Sequence, residues 1–165
     1  MADQSVIAVL TFLHIATAMG WFGGVIFFLS AVGPGVRAFT PTAQLEFLAK
    51  VGPKQIRFFT GVATGTIVFG LALLFAAFGS DYSSWPNYLQ AGFGFGLIAY
   101  LVAILVTVPA IRKANGIARQ VLNAPPGPPP PELPKLVRRA NMATMAVALL
   151  LLLALAFMVS SAVLA

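Results

Sequence analysis

Four stretches of this chain run for twenty or more residues with almost no charge, and that constrains the fold more than any other feature. They cover about 5–32, 56–78, 89–111 and 141–163. A hydrocarbon layer about 30 Å thick is crossed by about 20 apolar residues in a helix, and only a helix or a closed barrel satisfies the backbone there. With 165 residues in total, 59% of them hydrophobic and 8% charged, little chain remains for a soluble domain. The sequence therefore predicts an all-α, polytopic membrane protein, a single four-transmembrane-helix bundle over 1–165 that packs within the lipid bilayer.

The ten Lys and Arg fall in two intervals only, Arg37 to Arg57 and Arg112 to Arg139. Cations sorted in this way follow the positive-inside bias. They place the loops at about 33–55 and 112–140 in the cytoplasm and both termini outside, an N-out/C-out topology. The same sorting argues against nucleic acid, which requires a basic stripe on one soluble face. The N-terminus MADQS carries no cation and its apolar run exceeds a signal peptide's, so the first span reads as a retained helix. That points to a multi-pass protein of a prokaryotic cell membrane.

Between the spans, Gly33-Pro34-Gly35 reads as the end of the first helix. Thr40 or Thr42 then caps a short amphipathic helix holding Leu45, Phe47 and Leu48, stopped by Gly52-Pro53. APPGPPPPELP predicts an extended polyproline spacer. In GSDYSSWPNY, Tyr82, Trp85 and Tyr88 read as headgroup anchors. The pairs Gly20 and Gly24, Gly61 and Gly65, and Gly92 and Gly96 have the spacing that lets membrane helices approach closely. Their faces serve either helix packing or a planar cofactor or lipid.

The chain lacks cysteine, and its four acids, Asp3, Glu46, Asp81 and Glu132, lie outside the spans. This removes thiolate metal sites and the buried carboxylate of most proton-coupled transporters. No nucleophile sits beside a positioned base in a hydrolytic motif, so the reading leans away from an enzyme. What remains is the only histidine, His14, in FLHIATAMGWFGG. Desolvated imidazole needs a partner. Depth counting brings Tyr100 and Met158 within its reach, and helical spacing puts Trp21 on the same face. Either His14 bonds Tyr100 or a backbone carbonyl and joins helices, or its neutral nitrogen ligates a haem iron or another metal.

LHIATAMGWFGGVIFF followed by PGVR resembles the first helix of small four-helix membrane proteins related to the copper-resistance protein D family and to HemJ-type protoporphyrinogen oxidases. The resemblance implies haem b on His14. If haem binds, the further position falls to Met158, to His14 of a second copy, or to no protein ligand, and Tyr100 and Trp21 are the remaining cofactor-site candidates. The lysine of a later helix that the HemJ type uses has no counterpart inside spans two to four. The outer segments also lack the Met and His clusters that would capture copper ions. The sequence therefore predicts a non-enzymatic haem-binding or accessory subunit of a membrane, respiratory-type complex, as a homo-oligomer or with other membrane subunits. A haem-dependent quinol or porphyrinogen oxidoreductase engaged in electron transfer is the alternative, and a copper or small-solute permease a further one.

Overall fold

A computed structural model describes residues 3–125 and 127–164, with side chains described as far as Ser160. The described chain is all helical. Helices α1 (Gln4–Arg37), α3 (Gly52–Phe78), α4 (Asn87–Asn123) and α5 (Glu132–Leu164) are each long and apolar enough to cross a membrane. The short helix α2 (Pro41–Lys50) lies between the first two.

Two prolines stand inside long helices without ending them. Gly33-Pro34-Gly35 does not end the first helix, which continues to Arg37, and Pro109 is followed by helix as far as Asn123. A proline lacks the donor for the carbonyl four residues back and its ring collides with that carbonyl. Here the turn before each proline widens instead: Gly33 N–H reaches Phe28 O and Val108 N–H reaches Ala103 O, both five residues back. The resulting π-helical turns, Phe28–Val32 and Ala103–Thr107, absorb the mismatch without breaking the helix.

The bundle is built from two antiparallel pairs, α1 with α3 and α4 with α5. Along the first pair, glycines of each helix face side chains of the other. A Cβ on Gly24 would lie 2.8 Å from the Phe59 ring, one on Gly20 3.3 Å from Val62, and one on Gly65 2.9 Å from Thr17. In the second pair Gly92 receives Met158, whose Cγ lies 2.9 Å from where a Cβ would stand. Phe95 stacks on Phe157 with ring centroids 5.5 Å apart. Gly61 and Gly96 have no such neighbour within 4 Å. The seam between the pairs is filled by Trp21, Val25, Ala63, Ala99, Val147 and Leu151. Alanines, among them Ala99 and Ala118 with no exposed surface, give α4 its close packing.

At the basic end α2 folds back on the bundle. Thr40 caps it by accepting from Ala43 N–H, as its position before Pro41 suggests. Its last carbonyls are satisfied by α4: Asn115 Nδ2, turned towards them, donates to Leu48 O at 2.9 Å, and Arg119 Nε donates to Ala49 O at 3.3 Å. Asn115 is only 4% exposed, and a side chain at Gly52 would collide with it. Glu46 pairs with Lys50 and Glu132 with Lys113, both on the surface.

At the opposite end α3 closes on Gly79, at φ 80, and the turn Tyr82–Ser84 follows. Trp85 departs from the expected anchoring role. It is 4% exposed, donates from Nε1 to Gly79 O at 3.1 Å, and packs among Phe75, Tyr82 and Phe93. Tyr82 remains exposed and Tyr88 half-buried. The proline-rich connection between α4 and α5 is non-helical over 127–130; Pro126, within the expected polyproline path, lies outside the described residues.

Candidate functional site at His14 and in the bundle core

His14 is half-buried on α1, and its Nδ1 lies 2.9 Å from the backbone carbonyl of Thr66 on α3. A carbonyl oxygen only accepts, so Nδ1 carries the proton in this bond, and in the neutral ring Nε2 is then the nitrogen with the lone pair. The approach depends on the residue one turn beyond Thr66. Gly70 has no side chain, and a Cβ there would stand 2.8 Å from both Nδ1 and Cε1 of the imidazole. The glycine opens the side of the helix through which the ring reaches the carbonyl.

The hydroxyls nearby are committed to their own helices. Thr17 Oγ1 donates to Leu13 O and lies 3.1 Å from His14 O, Thr11 donates to Ile7 O, and Thr66 Oγ1 donates to Val62 O. Such bonds satisfy a threonine in hydrocarbon without a second helix.

The other candidate residues are distributed over the bundle. Tyr100 pairs its hydroxyl with Thr64 Oγ1 at 3.1 Å and meets Trp21 edge-on, with ring centroids 6.5 Å apart. Trp21 is 2% exposed and belongs to the core. Met158 lies against Gly92 on the α4–α5 seam. Of the two partner classes anticipated for His14, the structure shows the backbone carbonyl and assigns the Tyr100 hydroxyl to Thr64. Among the described residues, no three His, Cys, Asp or Glu side chains come together as a metal-binding group. Gly70 was not anticipated, because it stands five residues from Gly65 and forms no small-residue pair with it. Antiparallel counting from Gly24 opposite Phe59 brings His14 to Phe69, one residue short of it.

A second feature lies nearer the basic end. Residues of all five helices line a partly open pocket of about 110 Å³, with Trp21, Phe47, Ala63 and Val147 among its apolar wall residues. Thr60 and Thr107 also line it, and the hydroxyl oxygen of each is sealed from solvent without a hydrogen-bond partner.

Compared with models of known families, with curated proteins and with solved structures, the chain finds no match.

Proposed function

We propose that the protein is a non-enzymatic subunit of a prokaryotic cell membrane that presents His14 as an axial nitrogen to haem b. Both termini face outward and the two basic intervals face the cytoplasm, in line with the bias of cationic loops. The single observation that carries the haem reading is the bond from His14 Nδ1 to the Thr66 carbonyl. A ligating histidine typically donates its other ring N–H to a backbone carbonyl or carboxylate, which sets the tautomer and orients the ring. His14 meets that requirement with Nε2 as the ligand atom.

The donor set fits haem better than a bare metal ion, because one imidazole suffices for haem whereas a bare ion needs several ligands held together. Bound haem would supply a one-electron couple. Gly70 and Thr66 would hold the imidazole against rotation. Tyr100 is engaged with Thr64 and Met158 lies against Gly92, so the reading takes any sixth ligand from a second copy of the chain or another membrane subunit. A colourless accessory subunit is the second reading. It is favoured by the bond geometry itself, since the Thr66 contact also ties α1 to α3 with no cofactor.

An absorption spectrum of the detergent-purified protein, recorded with and without dithionite, tests the proposal. A Soret band and a reduced α band that disappear in His14→Ala are expected. A colourless protein copurifying in fixed ratio with other subunits overturns the haem reading and leaves the accessory one.

A further inference from the structure

Cations at the basic end of the bundle are not all balanced alike. Lys50 and Lys113 each meet a carboxylate, that of Glu46 and of Glu132. The other two acids of the chain, Asp3 and Asp81, stand at the opposite end, where they accept from Ser5 N–H and Ser83 N–H. Arg57, Arg112 and Arg119 therefore have no carboxylate partner among the described residues, and all three line one open pocket of about 300 Å³ between α3 and α4. Helical spacing gathers them there: Arg112, Asn115, Gly116 and Arg119 share one face of α4, as Pro53, Ile56 and Arg57 share one face of α3.

The pocket has a fixed floor and a charged rim. Ile56 and Asn115 are buried, and Asn115 is held by its bonds to Leu48 O and Ile111 O. Arg119 is positioned by the bond from Nε to Ala49 O, which uses one of the five donors of a guanidinium. Gly116 adds space: no atom lies within 4 Å of where its Cβ would stand, so packing does not account for a glycine in the interior of α4, where alanine is the better helix former. Ile56 and Ile111 close the apolar stretches of the second and third spans at this end, so in a bilayer Arg57 and Arg112 come at the level where hydrocarbon gives way to headgroups.

From this we infer that the pocket binds the phosphate of an anionic phospholipid headgroup, with Arg57, Arg112 and Arg119 as its cationic ligands. A guanidinium is charged at every physiological pH, and its planar fork matches phosphate oxygens. A cleft lined by charges of one sign concentrates counter-ions, and basic pockets between membrane helices on the cytoplasmic side take acidic headgroups. A free phosphate offers the same chemistry to the arginines. The lipid is favoured by what continues from them: on α3 the face of Arg57 runs into the span through Gly61, exposed and with open space beside it, to the exposed Val68, a track that an acyl chain can follow. The assignment rests on the four helices spanning a bilayer and not on haem at His14.

Detergent-purified protein is titrated with phosphatidylglycerol, and the lipids bound to the intact protein are counted by native mass spectrometry. One phosphatidylglycerol is expected to bind more tightly than those that follow, and phosphatidylcholine should not displace it. Arg57→Gln/Arg112→Gln should weaken that first event roughly tenfold or more. Arg138→Gln/Arg139→Gln removes two exposed charges from the same end but outside the pocket and should leave it unchanged. Gly116→Leu keeps every charge, fills the pocket and should weaken the first event as well. Arg119 stays in place throughout because it also holds α2. Should the double arginine variant not fold, each single variant reads the same quantity. His14→Ala should bind as the parent does, which separates this site from the haem reading. An equal loss in the two double variants would reveal only the diffuse attraction of cationic loops and overturns the pocket, as does unchanged binding in Gly116→Leu and the Arg57 and Arg112 variants. Displacement of the lipid by inorganic phosphate at equal concentration overturns the lipid as the ligand.

Discussion

His14 and Gly70 share one volume: the imidazole of α1 stands 2.8 Å from the point where a Cβ of residue 70 would be, and through that gap it bonds Thr66 O. The helix pair α1–α3 is thus joined by one polar contact whose existence depends on a missing side chain. Gly70→Ala should push the ring off the carbonyl and destabilise the protein by about 1–3 kcal/mol, the usual range for overpacking with loss of a buried bond. Thermal unfolding in detergent measures it. In a His14→Ala background the same change should be close to neutral, because the two residues couple through that contact.

Gly24 and Gly61 look alike in sequence, each half of a four-spaced pair, yet their surroundings differ. A Cβ at Gly24 would lie 2.8 Å from the Phe59 ring, while one at Gly61 meets nothing within 4 Å. Gly24→Ala is expected to lower the unfolding midpoint by forcing Phe59 aside. Gly61→Ala should leave it unchanged or raise it, since alanine is favoured over glycine inside helices by up to about 1 kcal/mol. Equal effects at both positions would contradict the packing described.

Asn115→Ala removes the donor that satisfies Leu48 O and empties the space beside Gly52. The expected cost is about 1–3 kcal/mol, concentrated locally. Hydrogen exchange of the amides of α2 should accelerate, with the α1–α3 amides unaffected.

Trp85 should report an apolar environment. In Trp21→Phe its emission is expected to be blue-shifted and resistant to aqueous quenchers, because the indole is packed among Phe75, Tyr82 and Phe93. An emission readily quenched from water would return it to the anchoring role read from the sequence.

The four long helices were legible because length and the absence of charge are local properties of the chain, and so was a threonine cap on the short helix, which the structure assigns to Thr40 over Thr42. The continuation of the first helix past Pro34 to Arg37, and of the third long helix past Ile111 to Asn123, was not. A π-helical turn that accommodates proline leaves no mark in composition, and Gly33-Pro34-Gly35 has every sign of a stop. His14 stood out because an imidazole in hydrocarbon is costly. Its partner did not, because a backbone carbonyl is present at every residue and only Gly70 singles out Thr66. Thr60 and Thr107 were illegible for a related reason. A threonine in an apolar helix ordinarily bonds its own backbone, and only the three-dimensional account shows which two fail to do so.

Because the chain has one histidine, the central claim about its ring can be read without assignment ambiguity. Nitrogen-15 NMR of protein labelled only at histidine, prepared without haem, resolves the two ring nitrogens directly. The bond to Thr66 O predicts a proton held at Nδ1, and loss of that fixed position in Gly70→Ala. A ring protonated at Nε2 alone, or one averaging between tautomers, would contradict the Thr66 bond and with it the case for His14 as a prepared ligand.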